Sequence, residues 1–480
     1  MKERKTYIPV GIILFLYLVI ILQNDNLSGV SLLNLLTFGG IVLISAIGVF
    51  EDRYPYSLKK FFWIFNLVFL GYIPTMQYLN NRYPWIGEKL SDDLVLKVNI
   101  LLIVCLLLFR FFYAYFSGKL ITQSRSQNVS SDLSIPRYYW IGGTIFFAFC
   151  ALIVLRSGGI VFLRSDVISA SVDNVNSNSS ENLLVDKVAR SWVLIYAIIT
   201  IQLYKSRRIS LFWMLTILLA TVLTNFPLAL PRYLAATFYI GLALTYRRWF
   251  NSPNLFPIII IASLFYVFPI LTEARHDYFS MEYVAGNFSE ISAKAYSSGD
   301  FDAYTMFCKT VEYTDLRGIV YGEQLSGVLL FFVPRNVWPD KPVGSGYFIG
   351  QKNGFYFLNV SCPYLAEGYL NFGIPGALII VLLFAFIFAR FDRFYWVNVS
   401  RGSEMNFWIL IYPSLLGMFF FMMRGDLLSS YAYTFGMLVT AYLAYMLVKK
   451  KVKKRKFRVG QNENFHPVHN NQELFKLSSN

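Results

Sequence analysis

About a dozen times along the 480-residue chain, an almost uncharged stretch runs for roughly the 20 residues that cross a hydrocarbon layer, the first being IPVGIILFLYLVIIL (8–22). In lipid every backbone N–H and C=O must be satisfied within the segment, so such stretches must be helices. The spans are expected near 7–23, 30–50, 61–79, 94–116, 138–155, 191–204, 210–226, 233–246, 255–272, 372–389, 405–423 and 428–448. Two of them, 191–204 and 233–246, are short and need tilt or flanking residues to span. Composition agrees, with 56% hydrophobic and 15% charged residues against about 25% charged in soluble domains. The expected fold is an all-α polytopic integral membrane protein of about twelve transmembrane helices. It forms one transmembrane domain over 1–448, followed by a basic cytoplasmic tail over 449–480.

The net charge of +15 could suggest a nucleic-acid partner, but its distribution does not. Most of the excess lies in short segments between apolar runs and in KKKVKKRKFR (449–458), the pattern of cytoplasmic loops. Placing the N-terminus inside makes every inside segment basic, including Lys59/Lys60, Lys205/Arg207/Arg208 and Arg390/Arg393. The short outside segments at 24–29 and 424–427 then hold at most one cation each. Both termini are therefore expected in the cytoplasm of a multi-pass cell-membrane protein, with membrane lipids as neighbours. The charged start MKERK and the apolar run after it lack a small-residue cleavage site, which reads as an uncleaved first helix. Arg110 is an exception among the nearly uncharged spans.

Two long segments then fall outside, at 156–190 and 273–371. The second is too long for a plain connection and reads as functional. Within it an amphipathic helix is expected at 282–298, and GIVYGEQLSGVLLFFVP (318–334) reads as an interfacial or re-entrant helix ended by Pro334. Cys308 and Cys362 lie on this segment and could form a disulfide outside the cytoplasm or be two unrelated thiols.

No P-loop, HExxH, CxxC or GxSxG motif occurs, and His276 is the one histidine outside the tail. Metal ligation by His and Cys is not expected, nor is any cofactor. Arginines instead collect at the outside ends of apolar runs: Arg232, Arg275, Arg335 and Arg424. Each could snorkel at the interface, yet the planar guanidinium also matches phosphate oxygens. In GDFDAY (299–304), Asp300 could cap a helix or, like Asp302, act as a base or orient sugar hydroxyls. Glu367 in AEGYLNFG (366–373) could pair with an outside arginine or meet substrate. Trp338 and the tyrosines of this face suit sugar stacking or an aromatic belt. In FFVPRNVWPDKPVGSG (331–346), three prolines restrict the backbone beside Arg335 and Lys341, which would pre-order cations for an anion.

The order GDFDAY (299–304), YGEQL (321–325), VPRNVWPDKP (333–342), AEGYLNFG (366–373) and RGD (424–426) resembles the O-antigen and capsule repeat-unit polymerases called Wzy. Arg335 and Gly346 also match the Arg-x10-Gly spacing of some members. The resemblance implies a fold similar to C-type glycosyltransferases with a large extracytoplasmic loop. It further implies transfer of a growing glycan from undecaprenyl diphosphate to a new undecaprenyl-diphosphate-linked repeat unit, with a chain-length regulator and a flippase as partners. By the same resemblance Arg335, Lys341 and Arg424 would hold the diphosphate, with Arg232 and Arg275 as lesser candidates. Asp300, Asp302, Glu367 and His276 compete as catalytic base. The alternatives are an O-antigen ligase, which shares this layout, and a lipid-linked oligosaccharide flippase, which would carry charges inside its spans. The orientation is checked by a reporter fused after residue 300: it should read as extracytoplasmic, and a cytoplasmic signal would overturn the topology.

Overall fold

Each of the apolar runs lies on a helix in the computed structural model, which describes residues 4–24, 29–119, 137–162, 179–246, 252–273, 281–400 and 406–448. The N-terminal half carries α1 (Arg4–Leu22), α2 (Leu32–Glu51), α3 (Leu58–Asn80), α4 (Asp92–Lys119), α5 (Arg137–Arg156), α6 (Ser179–Lys205), α7 (Leu211–Thr224), α8 (Arg232–Thr245) and α9 (Leu255–Glu273). After α9 come α10 (Met281–Tyr296), α11 (Ala303–Arg317) and two short helices, α12 (Glu323–Leu329) and α13 (Ser345–Lys352). The chain then returns to long helices in α14 (Tyr364–Ser400), α15 (Phe407–Arg424) and α16 (Leu427–Val448). Eight of these, α2 to α5, α9 and α14 to α16, are long and apolar enough to cross a membrane; α1, α7 and α8 contain shorter apolar segments. With no sheet among the described residues, the protein is an all-α polytopic membrane protein.

The described connections gather at two opposite ends of the bundle. At one, Asn24 Nδ2 donates to Asn80 Oδ1 (3.1 Å), and the residues between α10 and α14 pack on the 81–91 connection. At the other, Lys60 Nζ reaches the Tyr54 carbonyl and the Pro253 carbonyl (2.8 Å), while Arg393 donates to the Ser117 carbonyl (3.1 Å). Arg110, the cation within a span, pairs with Glu51 of α2 (2.5 Å).

This second end is held by Asp392, a residue without a role in the sequence reading. Its Oδ1 accepts from the Leu58 N–H (2.8 Å) and the Tyr412 hydroxyl (2.5 Å), and its Oδ2 from the Lys59 N–H (3.1 Å) and the Tyr113 hydroxyl (2.8 Å). One fully buried carboxylate thereby ties α14 to α3, α4 and α15. A buried charge is tolerated only when its lone pairs are filled, and here four donors fill them.

Two glycines set the closest helix contact. A Cβ on Gly417 of α15 would stand 2.7 Å from the backbone N and Cα of Thr237, and one on Gly241 of α8 would stand 2.4 Å from Ser414 Oγ. Small residues let the two backbones touch, the usual source of attraction between helices in lipid. Because α8 begins at Arg232 and α15 ends at Arg424, this contact also sets the relation between those two arginines.

The structure corrects several expectations. Only Glu323–Leu329 is helical within 318–334; Gly318, Tyr321 and Gly322 have φ of 86°, 48° and 85°, which break any helix before Glu323, and the chain turns again at Leu330. Helix α6 starts at Ser179, inside the loop expected at 156–190. Of the two alternatives left open for Cys308 and Cys362, the structure holds two separate buried thiols. The amphipathic helix expected at 282–298 is present as α10, with a kink at Asn287. The tail after 448 lies outside the described residues.

Within α14, Phe372 and Gly373 leave helical geometry, and Gly373 adopts a φ of 64° that favours glycine. Tyr364–Asn371 folds back so closely that a Cβ on Gly368 would lie 2.5 Å from the Gly376 carbonyl oxygen. Replacing Gly417 by Val should force α8 and α15 apart, costing about 1–3 kcal/mol as a lower unfolding midpoint in detergent. Gly436→Val, at a position open to space, should leave that midpoint nearly unchanged.

Candidate functional site

Asp302 is 1% exposed, and both of its oxygens are occupied. Its Oδ1 accepts from Arg424 Nη2 (3.1 Å); its Oδ2 accepts from Trp85 Nε1 (2.8 Å) and the Ser361 N–H (3.1 Å). Arg424 Nη2 also donates to the Gly299 carbonyl (2.5 Å). The last residue of α15 is thus fastened to the GDFDAY segment 122 residues earlier in the chain.

Local sequence explains how the segment reaches this position. Ser298 Oγ accepts from the Asp300 N–H and opens a single 3-10 turn over Gly299–Phe301. Phe301 is fully buried against Phe69, Phe268 and Tyr296, with ring centroids 5.0–5.7 Å away. Its carbonyl accepts from Gln77 Nε2 (3.1 Å). A Cβ at Gly299 would fall 1.9 Å from the Trp85 ring, so glycine is required there. Trp85 itself has a φ of 70°, rare for a bulky residue. Its hydrogen bond to Asp302 and its stacking on Phe357 (5.0 Å) offset that cost.

The capping role considered for Asp300 is not what the structure holds. Asp302 stands at the N-cap position of α11 without a side-chain capping bond, and Asp300 lies in the preceding turn. Its carboxylate pairs with Arg232 at the start of α8. Arg232 also donates to Thr272 Oγ1 (3.0 Å) and lies over the Phe268 ring (4.2 Å). This pair is accessible where Asp302 is not: the Arg232 and Asp300 side chains are 24% and 28% exposed. Arg424 is likewise 28% exposed, and its Nε–H finds no acceptor among the described residues.

Beside these pairs sits Glu367, buried on the folded-back part of α14. It does not pair with an arginine, as one expectation had it: Oε2 accepts from Ser345 Oγ (2.7 Å) and Oε1 from the Leu427 N–H (2.7 Å). Neutral donors close at hand satisfy the carboxylate. Asp426, the acid of RGD, is the N-cap of α16, accepting from the Ser429 N–H (2.8 Å) and hydroxyl (3.1 Å). Burial holds its carboxyl above the ordinary range, against the pull of those bonds. Gly344 is pressed against it, since a Cβ there would meet Asp426 Oδ2 at 2.8 Å. Gly346, the glycine of the Arg-x10-Gly spacing, is needed for packing: a Cβ would lie 2.2 Å from the Val360 carbonyl oxygen.

Arg335 and Lys341 are placed differently. Lys341 Nζ turns back on the carbonyls of Phe331 (2.6 Å) and Val333 (3.0 Å), and Arg335 donates to the Lys341 carbonyl (2.8 Å). Burial, with Arg335 as a neighbouring cation, holds the Lys341 ammonium below its ordinary range. Arg335 is exposed and Trp338 half-buried. These cations order their own loop, while Arg232 and Arg424 meet the acids. Arg275 and His276 lie outside the described residues. Among those described, no group of His, Cys, Asp or Glu is arranged to hold a metal ion.

Trp85, Ser345 and Ser361 were not foreseen in the sequence. The signal for the first was the compact NNRYPW (80–85) between two spans; the serines carry no signal beyond being polar near AEGYLNFG. Comparison with protein-family models, curated proteins and solved structures finds no match to this chain.

Asp302→Ala should leave Trp85 Nε1 and the Ser361 N–H without their acceptor and Arg424 without its carboxylate, and lower stability by about 2–4 kcal/mol. Unfolding in detergent measures the loss, and Gly299→Ala should shift the same transition downward by displacing Trp85.

Proposed function

We propose that the protein is a glycosyltransferase that polymerises lipid-linked oligosaccharide repeat units at the extracytoplasmic face of a bacterial cell membrane. The growing glycan passes from undecaprenyl diphosphate to the sugar end of a new undecaprenyl-diphosphate-linked unit. In this reading all twelve apolar helices cross the bilayer and both termini are cytoplasmic. The observation that carries it is the meeting of distant blocks at one end of the bundle. Arg424 joins Gly299 and Asp302, Arg232 joins Asp300, and Glu367 joins Ser345 and Leu427.

Burial divides the roles. Asp302 and Glu367 have their oxygens occupied and act as positioning residues, Asp302 by aiming Arg424. Arg232, Arg424 and Asp300 are open to a ligand. An acceptor sugar hydroxyl attacks the anomeric carbon of the lipid-linked glycan, and Asp300 takes the hydroxyl proton. The bond from that carbon to the diphosphate oxygen breaks, and undecaprenyl diphosphate departs with the electron pair. Arg232 and Arg424 stabilise the charge that develops on it; fixed donors of this kind are worth about 3–4 kcal/mol each. Arg335 and Lys341 supply further positive potential from the neighbouring loop, with Trp338 beside them for sugar stacking.

Purified protein reconstituted with lipid-linked repeat units should produce glycan ladders without nucleotide sugar or added divalent metal. Arg424→Ala and Arg232→Ala should each slow elongation by about 10²–10³, and Asp300→Asn by about 10²–10⁴, while single repeats still reach the cell surface. A divalent-metal requirement would overturn the arginine mechanism, and loss of single-repeat translocation would favour the flippase. Transfer to lipid A core without ladder growth would mark a ligase.

A further inference from the structure

One cavity lies apart from the carboxylate site, between the end of α5, the middle of α6, the end of α7 and the start of α8. Its volume is about 200 Å³. Two cations, Lys187 and Arg190, share its lining with an apolar wall that includes Ile153, Val154, Leu223 and Leu234, and among the described residues no carboxylate lines it. Both cations are held in place. Arg190 Nη1 donates to Asn225 Oδ1 (2.8 Å) and the Thr224 carbonyl (3.3 Å), and Lys187 Nζ lies over the Tyr433 ring (4.7 Å).

Position and chemistry together select an occupant. The cavity sits within a turn or so of three helix ends, where lipid head groups meet a membrane protein. Ile160 in its lining and Leu155 and Phe162 beside it are 48%, 78% and 47% exposed, an apolar surface of the kind that faces lipid. A cation pair facing an apolar wall suits an anion carried on a hydrocarbon chain. The volume is below the roughly 300–1,000 Å³ of pockets that engulf a drug-sized ligand. It suits one phosphate and the first part of a chain, and is too small for a diphosphate bearing a repeat-unit glycan. We infer that this cavity binds the phosphate head of an anionic membrane phospholipid, with Lys187 and Arg190 as its cations. The inference does not depend on the polymerase reading.

The cavity lies a few contacts away from the arginine site. Pro231 lines the cavity and directly precedes Arg232. Tyr433, under Lys187, stacks on Phe421 (6.3 Å), whose carbonyl accepts from the Gly425 N–H beside Arg424 (2.7 Å).

Native mass spectrometry of the delipidated full chain, titrated with phosphatidylglycerol or with phosphatidylcholine of the same acyl chains, tests the assignment. Wild type should hold one phosphatidylglycerol at about tenfold lower concentration than phosphatidylcholine, and Lys187→Gln/Arg190→Gln should lose that preference. Leu223→Trp keeps both cations but fills the cavity, and should also lose the bound lipid. Arg208→Gln, an exposed cation at the opposite end, should behave as wild type. Equal retention of the two lipids by wild type would overturn the inference. So would an unchanged preference in the double variant together with lipid still bound to Leu223→Trp. Displacement of the lipid by millimolar inorganic phosphate would reassign the cavity to a free anion. Tighter binding of geranylgeranyl diphosphate than of phosphatidylglycerol would reassign it to a prenyl diphosphate.

Discussion

The carboxylate of Asp302 is the point on which the extracytoplasmic end of the bundle, as we orient it, depends. A charge at 1% exposure must have its lone pairs filled, and three groups from distant parts of the chain do so: Arg424, Trp85 and the Ser361 N–H. Each would otherwise be an awkward occupant of its place. The indole sits on a residue with left-handed backbone, the guanidinium ends an apolar helix, and the amide belongs to a connection with little regular structure. The acid makes them compatible, and they make it tolerable. Removing any one donor therefore leaves the buried carboxylate with a lone pair unfilled, and removing the acid leaves the buried indole and amide unpaired.

Close approach of α8 and α15 does the complementary work. Gly241 and Gly417 bring the two backbones together, so the arginines at the ends of these helices rest on adjacent acids of one short segment. The result is a resting site in which cations and anions are already paired. On the proposed reading, an incoming diphosphate would take over part of that pairing and release Asp300 from Arg232 to accept a hydroxyl proton. Binding and activation of the base are in this view one event.

The apolar runs were readable because lipid imposes one length and one conformation on a crossing segment, and every run found its helix. The kink at Phe372–Gly373 falls where the tenth run was expected to begin, since Gly373 is the natural break. Arg232, Arg424, Asp300 and Asp302 could be named from composition of the loops, but not their pairing. Partners more than 60 residues apart are chosen by helix contacts that no local pattern records. Asp392 escaped notice because an acid between Arg390 and Arg393 reads as solvated loop, whereas α14 continues through it and turns it inward. Arg335 drew attention through its prolines, but the bonds of this segment run from Arg335 and Lys341 to the loop's own carbonyls. Ser345 and Ser361 act through one hydroxyl and one amide, which any sequence offers in abundance.

The two buried acids are satisfied in different currencies. Around Asp392 the partners named are neutral, two amides and two phenols, whereas the opposite end relies on guanidinium pairs that are about a quarter exposed. Mobile ions screen exposed charge pairs with a decay length of about 8 Å at physiological strength and act far less on dipoles buried in a bundle. Ionic strength therefore works on the arginine site more than on the Asp392 cluster. Salt can loosen the arginine site while the Asp392 cluster holds, so the protein carries a soft knot and a firm knot along a single set of helices.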